Sequence, residues 1–316
     1  MSDPQPPLEA SPDSTSNHKP LLSTPKSHWL TELFVGPEGL RPGWGLTLYL
    51  VLAYELWVAL SLLLTPAMHR LSGTLWMDLA AYVEITTCVV LPAVAMSRIE
   101  NRPFGLYGLP AKGAFGRGFA WGMLWGFAAL SLLLVILHGF HAFNFGTAGL
   151  HGIRALKFAL FWGVYFLLVG FFEEFVVRGY TLFTLSRGIT FWPAALVLSA
   201  YFGYRHLQNP GESWVGALSA GLIGLFFCFT VRRTGDLWFA VGLHASWDWA
   251  QSYLYGVPDS GTMIQGHYLT PSSQGPVWLT GGSVGPEGSV LVFVVIAILF
   301  AAFHATHPAK PSIAAT

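Results

Sequence analysis

The sequence is poor in charge and in cysteine. Only 10% of its 316 residues are Asp, Glu, Lys or Arg, against about a quarter in ordinary soluble domains, which excludes a water-soluble globule. Sixteen Lys and Arg cancel sixteen Asp and Glu. There is therefore no concentrated basic surface to displace counterions from phosphates, and nucleic acid is excluded as a partner. The two cysteines, Cys88 and Cys228, lie in apolar runs. They support neither a disulfide framework nor a thiolate metal site and read as small buried apolar side chains.

What the chain has in quantity is apolar and aromatic: 53% hydrophobic residues, 13 Trp, 24 Phe and 35 Gly, with a mean hydropathy of +0.53. Aromatics anchor at bilayer interfaces and small residues let helices pack closely. Apolar runs centre on 45–66, 75–97, 118–138, 156–186, 191–208, 214–231, 236–255 and 288–306. A crossing of the hydrocarbon core takes roughly 20 helical residues; the fifth and sixth runs are short and the fourth exceeds one crossing. The expected fold is all-α, a polytopic membrane helical bundle of about eight transmembrane helices over residues 41–308. Residues 1–40, rich in Pro, Ser, Thr and Asp, read as a disordered cytoplasmic tail, and 309–316 as a short second one. No basic segment followed by an apolar one marks a signal peptide.

Position gives the cancelling charges a meaning. Eleven of the sixteen basic residues fall on the side of the two chain ends, three (Arg70, Arg154 and Lys157) on the other, and Arg178 and Arg205 lie within spans. The positive-inside rule then places both ends in the cytoplasm and the connection 256–287 outside. The protein is expected to be integral to a lipid bilayer.

Ionisable groups inside spans are costly and mark function by default. The fourth run holds Glu173, Glu174 and Arg178, the fifth ends in Phe202, Arg205 and His206, and the seventh holds His244 and Asp248. Glu174 and Arg178 are four apart, on one helix face, with the acid N-terminal, which is the favoured order for an ion pair. Glu173, rotated about 100° from Glu174, is free to face another helix. His244 and Asp248, again four apart, aim a nitrogen and an oxygen at one point. Counted at about 1.5 Å per residue from the cytoplasmic ends, Glu173 lies roughly 20 Å deep, His206 21 Å, His244 12 Å and Asp248 18 Å. Glu55 and Glu84 stand alone in the first two runs and read as structural or cavity-lining.

Such groups can do hydrolysis. A Glu takes a proton from water, a His holds that water, and a second His with a neighbouring acid supports the oxyanion formed at an attacked carbonyl. His206, His244 and Asp248 also make a ligand set for Zn²⁺ with an open position, which the sequence allows without requiring; HExxH is absent. The plainer alternatives are a buried ion network at Glu173, Glu174 and Arg178, a histidine bonded to a backbone carbonyl at His206, and an interhelical clasp at His244 and Asp248. Phe202 reads as packing that keeps water from His206.

At these residues the sequence resembles the CPBP family, also called Abi, of CAAX-type prenyl endopeptidases and bacteriocin-processing enzymes. The family's three motifs, EExxxR, FxxxH and HxxxN or its Asp variant, correspond to Glu173-Glu174 with Arg178, Phe202 with His206, and His244 with Asp248. The resemblance covers about residues 100–290, and LTGGSVGPEGS at 279–289 is similar to bacterial members, which implies a bacterial inner membrane. It implies an intramembrane endopeptidase acting on a membrane-associated peptide or protein. Glu173 would activate water with His206, His244 and Asp248 would bind the oxyanion, and Glu174 and Arg178 would hold the Glu173 helix. Family members have been described both as metalloproteases and as glutamate-dependent, so metal use stays open. Asp248 stands where the best-understood members have an amide, and must be protonated, ligate a metal or orient His244. Arg205 either lines an aqueous cavity or pairs with Glu84 or Glu55. The alternative function is a non-catalytic membrane protein, a bacteriocin immunity factor or a regulator that binds transmembrane segments. A proton-coupled carrier fits less well, because no half-to-half repeat is present.

Overall fold

The computed structural model describes residues 29–37 and 39–308; the tail expected over residues 1–28 and that over 309–316 lie outside the described residues. The order of elements is α1 (Trp29–Phe34), β1 (Val35–Gly36), β2 (Gly39–Leu40), α2 (Pro42–Leu71), α3 (Leu75–Ile99), α4 (Arg117–Gly139), β3 (Phe143–Ala148), α5 (Gly152–Arg178), α6 (Tyr180–Ile189), α7 (Phe191–His206), α8 (Trp214–Thr234), α9 (Trp238–Asp248), β4 (Leu269–Ser273), α10 (Val277–Thr280) and α11 (Val292–Thr306). α9 continues through a π-helical turn, Trp249–Leu254. Each expected apolar run contains at least one helix, the fourth two, and among the described residues five segments are long and apolar enough to cross a membrane. The protein is an all-α polytopic membrane bundle. Residues 29–40, expected in the tail, form α1 and a small antiparallel hairpin instead.

The overlong fourth run is a span and a separate helix. The chain breaks at Gly179, where a Cβ would press on the Phe175 carbonyl and ring. Beyond it, α6 packs against α2 and α7. Buried Glu100, at the end of α3, accepts hydrogen bonds from Tyr180 (2.9 Å) and Tyr107 (3.3 Å) and lies 3.8 Å from Arg187 and 3.9 Å from Arg102. One carboxylate therefore ties α6 to α3 at the end of the bundle where the basic residues gather.

Helix α9 is the most enclosed element, and glycine makes this so. Gly118, Gly122 and Gly126 are four apart on α4, one ridge of the helix. A Cβ at Gly122 would collide with the Phe239 carbonyl, one at Gly126 with the Leu243 carbonyl and Ser246 Oγ, and one at Gly242 with the Phe119 carbonyl. On the other side, a Cβ at Gly170 of α5 would lie 2.9 Å from the Ala245 nitrogen and 3.3 Å from His244 Cβ. Backbone touches backbone on both sides, the small-residue packing that lipid-embedded helices use in place of a hydrophobic driving force.

The long connection after α9 folds back over its end of the bundle. β4 pairs antiparallel with β3, joining it to the α4–α5 loop. Gln251 Nε2 donates to the Pro258 carbonyl (2.7 Å), Ser252 Oγ to Asp259 (3.2 Å), and Ser219 Oγ to the Glu287 carbonyl (2.9 Å). The Glu287 carboxylate accepts from the Ser260 amide and hydroxyl. Burial, with the Asp259 carboxyl beside it, pushes Glu287 up to about 8, and burial likewise raises Asp259 well above the usual range.

Two outcomes are expected. Gly126→Ala lowers the melting temperature in detergent by the equivalent of about 1–3 kcal/mol, the usual cost of overpacking, whereas Gly118→Ala, where a Cβ meets nothing within 4 Å, is neutral; equal effects would refute the close-packing account. For Glu287, raised from 4.5 to about 8, the folded protein holds a proton between those pH values that the unfolded chain has released. Stability therefore falls as pH rises through that window and levels off above it. Glu287→Gln flattens this slope, leaving the part due to Asp259; melting curves from pH 5 to pH 9 read it directly, and an unchanged slope contradicts the assignment.

Candidate active site

Glu173 and Glu174 sit in the last turns of α5, whose final residue is Arg178. The expected pair forms: Arg178 Nη1 donates to Glu174 Oε1 at 2.9 Å, with both side chains fully buried. Arg178 Nε donates to the Gly224 carbonyl of α8 (3.2 Å). The guanidinium lies over the rings of Phe202 (4.7 Å) and Phe227 (5.2 Å). A cation in this position is held by one carboxylate, one carbonyl and two aromatic faces.

The same Glu174 oxygen receives His244 Nδ1 at 2.8 Å. Sequence reasoning gave Glu174 only the holding of its own helix; its bond to α9 is carried by neither spacing nor composition, because the partner is 70 residues away. His244 Nε2 faces Asp248 Oδ2 (3.5 Å) and Glu173 Oε2 (3.7 Å), and the imidazole stacks on Phe227 at 5.6 Å with an interplanar angle of 9°. The His244–Asp248 claw is therefore present, and Glu173 completes it from the neighbouring helix. Both ring nitrogens face carboxyl oxygens, which requires protons on the nitrogens or on the facing carboxyls.

His206 shares the cavity with these groups but makes no hydrogen bond or ion pair to them among the described residues. Its Nδ1 lies 2.8 Å from the Phe202 carbonyl, one turn back. A carbonyl only accepts, so Nδ1 carries a proton, and in the neutral form of the ring Nε2 is an acceptor. The Phe202 ring, 4.5 Å from His206, separates it from Arg178, matching the packing role expected of Phe202. The depth count changes with the helix ends. By rise alone Glu173 and His244 lie about 8 and 9 Å from the ends of α5 and α9, whereas His206 is about 22 Å along α7. The residues meet at one cavity without equal depth along their own helices.

That cavity has a volume of about 990 Å³. Tyr54, Trp57, Tyr82 and Tyr165 line it from α2, α3 and α5, and Glu173, His206, His244 and Asp248 from the three motifs. Arg205, Glu212, Asp259 and Glu287 also line it. Of these the sequence pointed to Arg205; Glu212, Asp259 and Glu287 were missed, since nothing in a polar loop shows that it folds inward. Arg205 takes the cavity-lining alternative. Buried Glu84 is bonded to Ser61 Oγ at 2.6 Å, and Glu55 is exposed.

Among the described residues, no group of three or more His, Cys, Asp or Glu side chains is placed to hold a metal ion. His244 Nδ1 is bonded to Glu174 and His206 Nδ1 to the Phe202 carbonyl, which leaves Nε2 as the free nitrogen of His206. The chemistry here is derived from the side chains alone.

Residues 155–250 match the family model described as type II CAAX prenyl endopeptidase Rce1-like. No curated protein and no solved structure matches the chain. The matched stretch runs from the first turn of α5 to just beyond Asp248, so it holds all three motifs and both faces of the glutamate–histidine contact. Over these 96 of its 316 residues the chain is similar to the type II CAAX prenyl endopeptidase family.

Proposed function

We propose that the protein is an intramembrane endopeptidase that hydrolyses a peptide bond of a membrane-associated substrate with water activated by Glu173. The observation that carries this reading is the placement of Glu173. It stands apart from the Glu174–Arg178 pair, its carboxylate lines the cavity, and it faces His244 from the next helix.

In this reading a water donates one hydrogen to Glu173 and the other to His206 Nε2, and its oxygen attacks the scissile carbonyl. Glu173 takes the proton as the carbon–oxygen bond forms. The oxyanion is met by His244, whose ring Glu174 holds through Nδ1, and by Asp248, which can donate only while it carries a proton. Collapse breaks the carbon–nitrogen bond, and the proton held by Glu173 passes to the leaving amine. Zn²⁺ is not assigned a step. The asymmetry of basic residues supports both chain ends on the cytoplasmic side, as in a bacterial inner membrane, with the connection 256–287 outside.

Glu173→Gln should lower turnover of a quenched-fluorescent membrane peptide, offered with and without a prenylated cysteine, by at least about a hundredfold, with an unchanged melting curve. Retained cleavage sinks the reading. Glu174→Gln, which keeps the shape but weakens the hold on His244, should cost about 10–100-fold and alter the pH profile of kcat, a change that loss of packing alone does not produce.

A further inference from the structure

Around His244 the site is rich in acceptors and short of donors. Glu173, Glu174 and Asp248 all face the ring, and an ionised carboxylate only accepts. Several donors that line the cavity are spent on the protein: Ser252 on Asp259, Ser260 on Glu287, Ser219 on the Glu287 carbonyl, and the Trp247 indole on Gln251 at 2.8 Å. Tyr82 of α3 is placed differently. It is half-buried and lines the cavity. Its ring meets Phe172, the residue before Glu173, in a T-shaped contact at 6.1 Å, and Tyr165 in another at 5.1 Å. Among charged groups, Glu173 acts most strongly on its hydroxyl, ahead of Asp248 and Asp259. The Tyr82 and Tyr165 hydroxyls also interact. A bond between two phenols uses one of their two protons, so one donor is left for whatever occupies the cavity.

We propose that Tyr82 is a further catalytic residue, whose phenol donates a hydrogen bond to the oxyanion formed at the attacked carbonyl. The inference rests on the peptidase reading for the reaction. An oxyanion is stabilised by donors already aimed at it, and α9 supplies one histidine and one carboxyl. Asp248 donates only while it carries a proton, whereas a phenol ordinarily ionises at about pH 10 and donates throughout the neutral range. Tyr82 thus brings from α3 a donor that does not depend on the protonation of Asp248. The phenol keeps its proton, since the one that moves passes from water to Glu173 and on to the leaving amine. Tyr82→Phe removes the hydroxyl and leaves both ring contacts and the Glu174–His244 bond in place. Asp248→Asn sets a permanent donor one turn from His244, so the two donors should replace one another in part.

The test uses the full chain in nanodiscs and the quenched-fluorescent membrane peptide. Tyr82→Phe should lower kcat by about a hundredfold, the effect of one oxyanion donor, with KM and the melting curve little changed. The same substitution made in Asp248→Asn should cost less than about tenfold, because contacts that serve one group are not additive. An equal cost in both backgrounds, the result of a hydroxyl that only holds Glu173, overturns the proposal, as does a loss through KM alone. Binding is read separately, by fluorescence anisotropy, and decides where Asp248→Asn is itself inactive. The probes are a labelled apolar octapeptide with a central difluoromethylene ketone, which is held as its hydrate, and the ketomethylene counterpart. The wild type should bind the first at least about tenfold more tightly, and Tyr82→Phe should lose most of that preference. No preference in the wild type, binding of neither probe, or an unchanged ratio in Tyr82→Phe overturns the proposal. A preference that depends on Tyr82, in a protein that cleaves no peptide, keeps the donor and sinks the peptidase reading; cleavage unaffected by Tyr82→Phe does the reverse.

Discussion

The close approach of α9 to α4 and α5 is the constraint on which the site depends. In water, burial of apolar surface would press these helices together, but lipid tails are as apolar as leucine, so contact must come from packing and polar bonds. Gly122 and Gly126 let α4 lie against the α9 carbonyls, and Gly170 lets α5 lie against the backbone at Ala245. Side chains at these positions would push α9 outward. His244 would then lose the 2.8 Å bond to Glu174 and its approach to Glu173. Residues with no functional groups thus set the geometry of those that have them.

Glycine brings the helices close, and the Arg178–Glu174–His244 chain fixes their register. A buried ion pair is a weak source of stability, since desolvation consumes most of its Coulombic gain, while breaking one leaves an uncompensated charge. Its value here is positional. One Glu174 oxygen is shared by a cation from its own helix and a ring nitrogen from α9, so a slip of either helix strands a charge in the bilayer interior. The aromatic faces of Phe202 and Phe227 close the space around Arg178. Phe227 stacks on His244 and the Phe202 ring packs tilted against His206, and both imidazoles are therefore oriented by the residues that bury the arginine.

The parts of this arrangement that were legible in the sequence are those written in local spacing. Apolar run length gave the spans, and the four-residue intervals gave the Glu174–Arg178 and His244–Asp248 pairs. What local spacing does not encode was hidden. The break at Gly179 lies inside an unbroken apolar run: there the backbone leaves the helical region (φ −80°, ψ −120°) with Phe175 packed against it, and hydropathy is blind to that. The Glu174–His244 bond joins residues 70 apart and depends on how close two helices come. Glu173 was counted roughly 20 Å deep along an unbroken run, and the end of α5 at Arg178 leaves it only about 8 Å from its helix end. Asp259 and Glu212 sit in polar loops whose composition suggests solvent.

These loops give the cavity two unlike walls. One is aromatic, with Tyr54, Trp57, Tyr82 and Tyr165 contributed by helices α2, α3 and α5; the other carries Glu212, Asp259 and Glu287 from the segments that connect helices. A peptide bond is polar and its hydrolysis consumes water, whereas a membrane-held substrate arrives with apolar groups attached. A cavity of uniform character would suit only one of these. The acids on the loop wall are tolerated in so enclosed a place because backbone amides and serine hydroxyls answer them: Ser213 N for Glu212, Ser252 Oγ for Asp259, and Ser260 for Glu287. The polar wall is therefore an ordered extension of the connections after α7 and α9 rather than an accident of solvent exposure.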